Sequence, residues 1–354
     1  MTNVWQIAAG EPRRYYDDIF VKHDVMFMGP GRHGCYGDNK AKYGQLRNGL
    51  RRFVEDVHEG DVVLLRLGQV AKAIGLVVGG YEWLEMFDDV FGWDLQHTRR
   101  VVWQKHLKDD LDRVQPKEGF FPAKQGATFS AVHNSTIHER IKPLLARCHP
   151  RSLRPLPEEP STPLEPAALG RELFARGVAN DAVEKTLAAI ERQRRLWRWY
   201  DEQPREMGRP TEHEVVAHMA LPLLLALGWS EQLLAVEWKR IDLAGFCETP
   251  TDEKTCVLAC EAKGMGHGLQ NVFDQAEDNV RRCRLTRCEK VLLTNGASFY
   301  LYERKGNRWS REPAGYLNVN RIRRSHLRPT NTNAVDTIVA LTPAGVMRRL
   351  SKRP

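Results

Sequence analysis

Arg240-Ile-Asp242, a polar passage, and then Val257-Leu-Ala-Cys-Glu261-Ala-Lys263-Gly264 form the stretch that decides how the C-terminal half folds. Val257, Ala259, Glu261 and Lys263 share one parity, so a β-strand here projects Glu261 and Lys263 to the same side. The intervening Glu248-Thr-Pro-Thr-Asp-Glu-Lys254 is rich in turn formers. It predicts a hairpin that brings Asp242 beside Glu261. Two adjacent carboxylates repel unless positive charge lies between them, and a divalent cation is the usual answer. Mg²⁺ favours such a hard-oxygen, partly hydrated arrangement, and Mn²⁺ would substitute for it. Lys263, an ammonium at the same point, would orient or help deprotonate water and stabilise charge developing on a phosphate.

This Asp…Glu-x-Lys pattern resembles the PD-(D/E)xK nuclease superfamily. The helical stretch Glu214-Val-Val-Ala-His-Met-Ala-Leu-Pro-Leu-Leu-Leu-Ala-Leu-Gly-Trp229 is similar to the helix ahead of the catalytic hairpin in the nuclease domain of type I restriction motor subunits. A helix-borne glutamate joins the metal site in those proteins, and Glu214 occupies its place. Gln275-Ala-Glu-Asp-Asn279 matches the glutamine of their Gln-x-x-x-Tyr motif, with Asn279 where tyrosine is expected. Val291-Leu-Leu-Thr-Asn-Gly-Ala-Ser-Phe-Tyr-Leu-Tyr302 completes the match as strand, turn and strand, so the resemblance spans residues 205–310. It implies a restriction-endonuclease-like αβ domain with a mixed central sheet. It also implies that Asp242, Glu261 and the Ala262 carbonyl hold the metal, supported by Glu214, and that Gln275 orients Lys263 or the phosphate.

The chain has 354 residues, long enough for two domains, and 42% of them are hydrophobic. It has no apolar run of membrane-spanning length and no secretory signal pattern, so a cytoplasmic protein without membrane contact is expected. Seven cysteines, odd in number and irregularly spaced, read as reduced thiols. A formal charge of +8 and a pI ≈ 9.1 favour a polyanionic partner. The basic residues cluster at Arg281, Arg282, Arg284 and Arg287, and again at Arg321, Arg323, Arg324 and Arg328, in patterns suited to phosphate contacts.

Pro150 to Pro166 is proline-rich and reads as an extended spacer. After it, Leu169, Leu173 and Phe174 open one amphipathic helical pattern and Val183, Leu187 and Ile190 another, with Asn180-Asp181 as break and cap. The expected division is residues 1–148, a spacer and helical linker at 149–204, and the nuclease domain at 205–354.

In the first of these, Val4–Ile7, Val25–Met28, Asp61–Leu65 and Ala73–Val78 read as strands, with a helix over Tyr43–Val57. Trp5-Gln-Ile7, Met28-Gly-Pro-Gly-Arg32, Glu59-Gly-Asp61-Val-Val63, Ile74-Gly75 and His97-Thr-Arg99-Arg-Val-Val-Trp103, in that order, resemble the PUA-like group that includes EVE and YTH domains. That resemblance implies a small β-barrel-type fold that reads modified bases. A flipped base would stack on aromatic side chains from Tyr81, Trp83, Phe91 and Trp93, with Asp94 and His97 as polar contacts and Arg32 at the backbone. Trp5 and Trp103 read as core.

Other motifs fail on spacing. Gly29-Pro-Gly31-Arg-His-Gly34 follows a strand but opens no helix, so it is not a dinucleotide fingerprint. His213 and His218 are five apart and cannot form the i, i+4 zinc pair. Together the two resemblances imply a modification-dependent, type IV-like restriction endonuclease acting on double-stranded DNA that carries modified bases, with cutting of both strands requiring either a homodimer or two sequential nicks. A non-cleaving binding or regulatory protein and an RNA-directed defence nuclease are the alternatives.

Overall fold

A computed structural model describes residues 3–10, 17–122, 127–203, 208–269, 271–306 and 308–347. The chain forms two compact units, Met1–Glu159 and Pro160–Pro354, each an α+β arrangement around a mixed sheet.

The first unit contains β1 (Val4–Ala8), β2 (Val25–Met28), β3 (Val62–Leu67), β4 (Val70–Trp83), β5 (His97–Trp103) and β6 (Phe129–Ala131). Their order is β2-β5-β4-β3-β1-β6, parallel only between β1 and β3. The barrel-type expectation is therefore corrected, because among the described residues the sheet is an open path. Its outermost strands have only four and three residues. Two helices, Lys108–Val114 and Ser135–Leu145, add Leu111, Ile137, Ile141 and Leu144 to a core with Val4, Val62, Leu64 and Ile74. The second helix is anchored at its start by Asn134, whose side chain accepts from the Thr136 and Ile137 amides. Trp5 and Trp103 are buried as expected. The helix expected over Tyr43–Val57 is a short α segment, Arg47–Arg51, flanked by a tighter and a wider helical turn.

The proline-rich passage lacks regular structure, yet it is pinned. Asp24, fully buried, accepts two hydrogen bonds of 2.7 Å from the Arg151 guanidinium and one of 2.8 Å from the Arg154 amide.

The second unit contains β7 (Leu234–Trp238), β8 (Ile241–Phe246), β9 (Cys256–Ala262), β10 (Lys290–Thr294), β11 (Ser298–Lys305), β12 (Arg308–Trp309) and β13 (Gly315–Asn318). The main path is β12-β11-β10-β9-β8-β7, with β13 also on β11 and only β9 and β10 parallel. Every residue of β9 is buried, as its near-continuous apolar sequence requires in a central strand. The helices Pro166–Ala175 and Asn180–Glu202 were expected to be a linker. Instead Leu169, Leu173, Val183 and Ile190 join the core formed by Leu223, Leu243, Leu292 and Ile338. Amphipathic spacing announces a buried face but not the element that covers it.

Candidate active site

β8 and β9 pair antiparallel with Leu243 opposite Cys260, which brings the start of β8 to the end of β9. There the Asp242 carboxylate accepts a 2.7 Å hydrogen bond from the Ala262 amide, so its side chain extends the ladder where backbone pairing stops. Glu261 is 4% exposed. Its carboxylate accepts from Lys263 Nζ at 3.0 Å, Gln275 Nε2 at 2.6 Å and Asn279 Nδ2 at 3.3 Å. Gln275 and Asn279 lie one helical turn apart on the helix Phe273–Arg282, which joins the parallel strands β9 and β10. Asp242, Glu261, Lys263 and Gln275 thus meet at one place.

Charge in this cluster is strained on one side and settled on the other. Burial pushes the pKa values of Asp242 and Glu261 above the usual carboxylate range, reinforced at Glu261 by the charge of Asp242 and at Asp242 by that of Glu212. Burial also opposes the charge of Lys263, but hydrogen bonding to Glu261 and the charges of Glu261 and Glu212 outweigh it and raise its pKa. Lys263 therefore stays an ammonium near neutrality. It is a donor and a positive charge rather than a proton acceptor.

Among the described residues no group of three or more His, Cys, Asp or Glu side chains is gathered to hold a metal. Two carboxylates near enough for Asp242 to raise the pKa of Glu261 do fit a cation that keeps most of its own water, as Mg²⁺ does.

Glu214 does not join this cluster. It closes a capping box with Thr211, accepting from the Thr211 amide at 2.8 Å while the Thr211 hydroxyl accepts from the Glu214 amide at 3.3 Å. That hydrogen bonding lowers its pKa. The helix carboxylate at the site is Glu212, 3.2 Å from Lys263 Nζ. The loop after β9 makes this approach possible. The Met265 amide donates to the Pro210 carbonyl at 3.2 Å, and a Cβ on Gly264 would lie 3.0 Å from that oxygen. The helical run at 212–226 also contains a widened turn, Val216–Ala220, just before Pro222, which accommodates the missing amide.

Sequence reasoning missed Glu212 and gave Asn279 no role. The signal for Glu212 was the Thr211-x-x-Glu214 spacing, which commits Glu214 to its own helix end. The signal for Asn279 was its i, i+4 relation to Gln275.

The two arginine clusters differ. Arg281 and Arg282 pair with Asp278, and Arg287 pairs with Glu248 at 3.1 Å, all on the outside of the second unit. In the later cluster Arg323 is buried, and Arg324 donates to Glu172 at 2.8 Å. The seven cysteines are free.

In the first unit, Tyr81, Trp83 and His97 come together where β4 and β5 pair. A register shift between Val77 and Tyr81 re-aims the end of β4, setting Tyr81 opposite Arg99 and Trp83 opposite His97. The fully buried His97 ring meets the Tyr81 hydroxyl at 2.9 Å through Nδ1. Through Nε2 it meets the Pro30 carbonyl and the Tyr43 hydroxyl, both at 3.1 Å. Trp83 packs edge-on against it at 5.0 Å. Burial pushes the His97 pKa down to about 4, so the ring is neutral. Burial also pushes the Tyr43 phenol up to about 12, with Asp94 and Arg32 acting on it electrostatically. Phe91 and Trp93 lie in a tight turn in which Val90 and Trp93 exchange backbone hydrogen bonds of 3.0 and 3.1 Å. Tyr36 and Tyr43, which the sequence reading passed over, belong to the aromatic group, their rings 5.8 Å apart. The glycine motif also has a packing explanation, since a Cβ on Gly31 would fall 1.7 Å from the Gln96 side-chain oxygen.

None of the described helices is long and apolar enough to cross a membrane. No curated protein matches the chain. Residues 35–120 match a family described as a domain of unknown function (DUF8426), a match that covers Tyr36, Tyr43, Tyr81, Trp83 and His97 and none of the carboxylate cluster.

Proposed function

We propose that the second unit is a Mg²⁺-dependent nuclease and that the chain is a modification-dependent restriction enzyme acting on double-stranded DNA. The observation that carries this reading is the buried Glu261 carboxylate. It lies beside Asp242 and is held by Lys263, Gln275 and Asn279. A purely structural glutamate in a central strand has no need of a second carboxylate that raises its pKa. Asp242, Glu261 and the Ala262 carbonyl would hold Mg²⁺, which supplies Lewis-acid stabilisation of charge on a phosphate oxygen. Lys263 Nζ, kept protonated, adds a second positive charge toward the phosphate. Gln275 and Asn279 fix the Glu261 carboxylate through its two oxygens. Glu212 holds Lys263 from the other side.

The first unit would select the substrate. Its PUA-like resemblance and the aromatic ring group around a neutral histidine support a pocket for a flipped, modified base. Stacking and neutral hydrogen bonds suit an uncharged ligand. The test is incubation of the purified protein with phage DNA carrying modified bases, unmodified plasmid and RNA, each with Mg²⁺ or EDTA. Cutting of modified DNA alone, dependent on Mg²⁺, is expected. Binding without cutting, or cutting of RNA alone, would overturn the proposal.

A further inference from the structure

The second unit has a groove of ≈ 880 Å³ whose lining includes Lys239, Arg240, Lys254, Arg282 and Arg284, with Asp252 and Glu253 as its acidic members. The acids are already committed. Asp252 accepts from the amides of Lys254 and Thr255 at 2.7 and 3.0 Å and so shapes its own turn. Glu253 pairs with Lys239. Arg282 pairs with Asp278 at 2.5 Å. Arg240, Lys254 and Arg284 remain, all exposed and none in an ion pair among the described residues. The lining sets five cations against two carboxylates, and a polyanion relieves that imbalance.

Position gives the groove its meaning. Arg240 is two residues before Asp242 and close enough to Asp278 to help lower the pKa of its carboxyl group, after the larger effects of Arg281 and Arg282. Asp278 adjoins Asn279, which contacts Glu261. Arg282 follows Asn279 by three residues, about 5 Å along the helix axis, and Arg284 lies just beyond the helix end. The groove's lining therefore comes within two residues of Asp242 and includes the C-terminal end of the helix whose Gln275 and Asn279 hold Glu261.

We infer that this groove binds the phosphate backbone of duplex DNA next to the position of the scissile phosphate, with Arg240, Lys254 and Arg284 as its contacts. This rests on the nuclease reading for its choice of DNA and not for its geometry.

The test is equilibrium binding of a fluorescent, unmodified DNA duplex by the full chain in EDTA over a range of salt concentrations. Each lost phosphate contact lowers the slope of log affinity against log salt by about one. Lys254→Ala combined with Arg284→Ala should make the slope shallower by about two, with an unchanged melting temperature because both residues are exposed. Arg324→Ala, which removes the same charge from a residue paired with Glu172, should leave the slope as it is. An unchanged slope in the double variant, an equal effect from Arg324→Ala, no duplex binding by the wild type, or tighter binding of an RNA duplex would each overturn the inference. Cutting is read separately in Mg²⁺. Binding through the groove with no cutting under any condition would defeat the nuclease reading and leave the groove. Cutting by a protein whose slope ignores Lys254 and Arg284 would do the reverse.

Discussion

The molecule buries two polar centres, and they treat charge in opposite ways. Around His97 each ring nitrogen has a neutral partner, and burial keeps the imidazole uncharged. Around Glu261 the charges persist, with an ammonium held against two carboxylates that repel each other. The first arrangement is electrically settled and needs no ion from solution. The second is incomplete, because one lysine cannot neutralise Asp242, Glu261 and Glu212 together. Neutral contacts suit recognition by shape, and an unbalanced cluster suits a cation and a reacting phosphate.

The largest break should come from removing one member of the charged centre. Asp242→Ala, Glu261→Ala and Lys263→Ala should each slow Mg²⁺-dependent cutting on the order of a thousandfold, the worth of several kcal/mol of lost charge stabilisation. DNA binding in EDTA should persist. Near-normal rates in all three variants would remove the assignment.

The neutral centre should reveal itself through pH. His97 binds its proton less readily when folded than when unfolded, so its stabilisation is intact above its usual 6.5 and drains away as pH falls toward about 4. The loss is on the order of 3 kcal/mol when complete. Hydrogen exchange of β5 amides in the full chain at pH 7 and pH 5 measures it. Equal protection at both values would mean that His97 is not held neutral by burial.

Trp83→Ala should reduce preference for modified over unmodified DNA about ten- to a hundredfold, since a base–aromatic stack contributes roughly 1–3 kcal/mol. Trp93→Ala makes the companion measurement. If Trp93 alone controls preference in a folded protein, the tight turn and not the His97 group is the reader.

The smallest effect belongs to Glu214. Its carboxylate caps a helix, so Glu214→Gln should cost at most about 1 kcal/mol of stability. The Mg²⁺ concentration for half-maximal cutting should not change. A higher Mg²⁺ requirement would show that Glu214 leaves its cap during turnover.

The charged centre was largely legible in the sequence because strand parity is a strict rule. Asp242, Glu261 and Lys263 meet as parity and the hairpin spacing lead one to expect, and Gln275, placed there only by the resemblance, joins them. Glu214 was misplaced because two roles competed for one residue, and the local capping box satisfied it. The neutral centre was less legible. Tyr81, Trp83 and His97 converge through a register shift in β4, and a bulge leaves little trace in side-chain pattern. Closure of a sheet into a barrel depends on pairing between distant strands, which periodicity does not encode. The helices at 166–202 were legible as helices, but their partners in the core were not.

The second unit's core also sets a timetable for synthesis. The Leu164 amide donates to the Ile322 carbonyl at 2.7 Å, and Trp229 Nε1 donates to the Leu341 carbonyl at 2.8 Å. Ile338, Leu341 and Val346 pack in the same core as Leu169 and Leu243. The first unit's core, by contrast, is complete once Leu144 has been made. Chains grow at roughly 5–20 residues per second, with leading domains folding first. The first unit can therefore fold while the second is still being translated. Asn279, the last of the side chains that hold the Glu261 carboxylate, precedes Leu341 by seconds of translation at that pace. During that interval every residue of the carboxylate cluster has been made, but the core that would hold them in place has not.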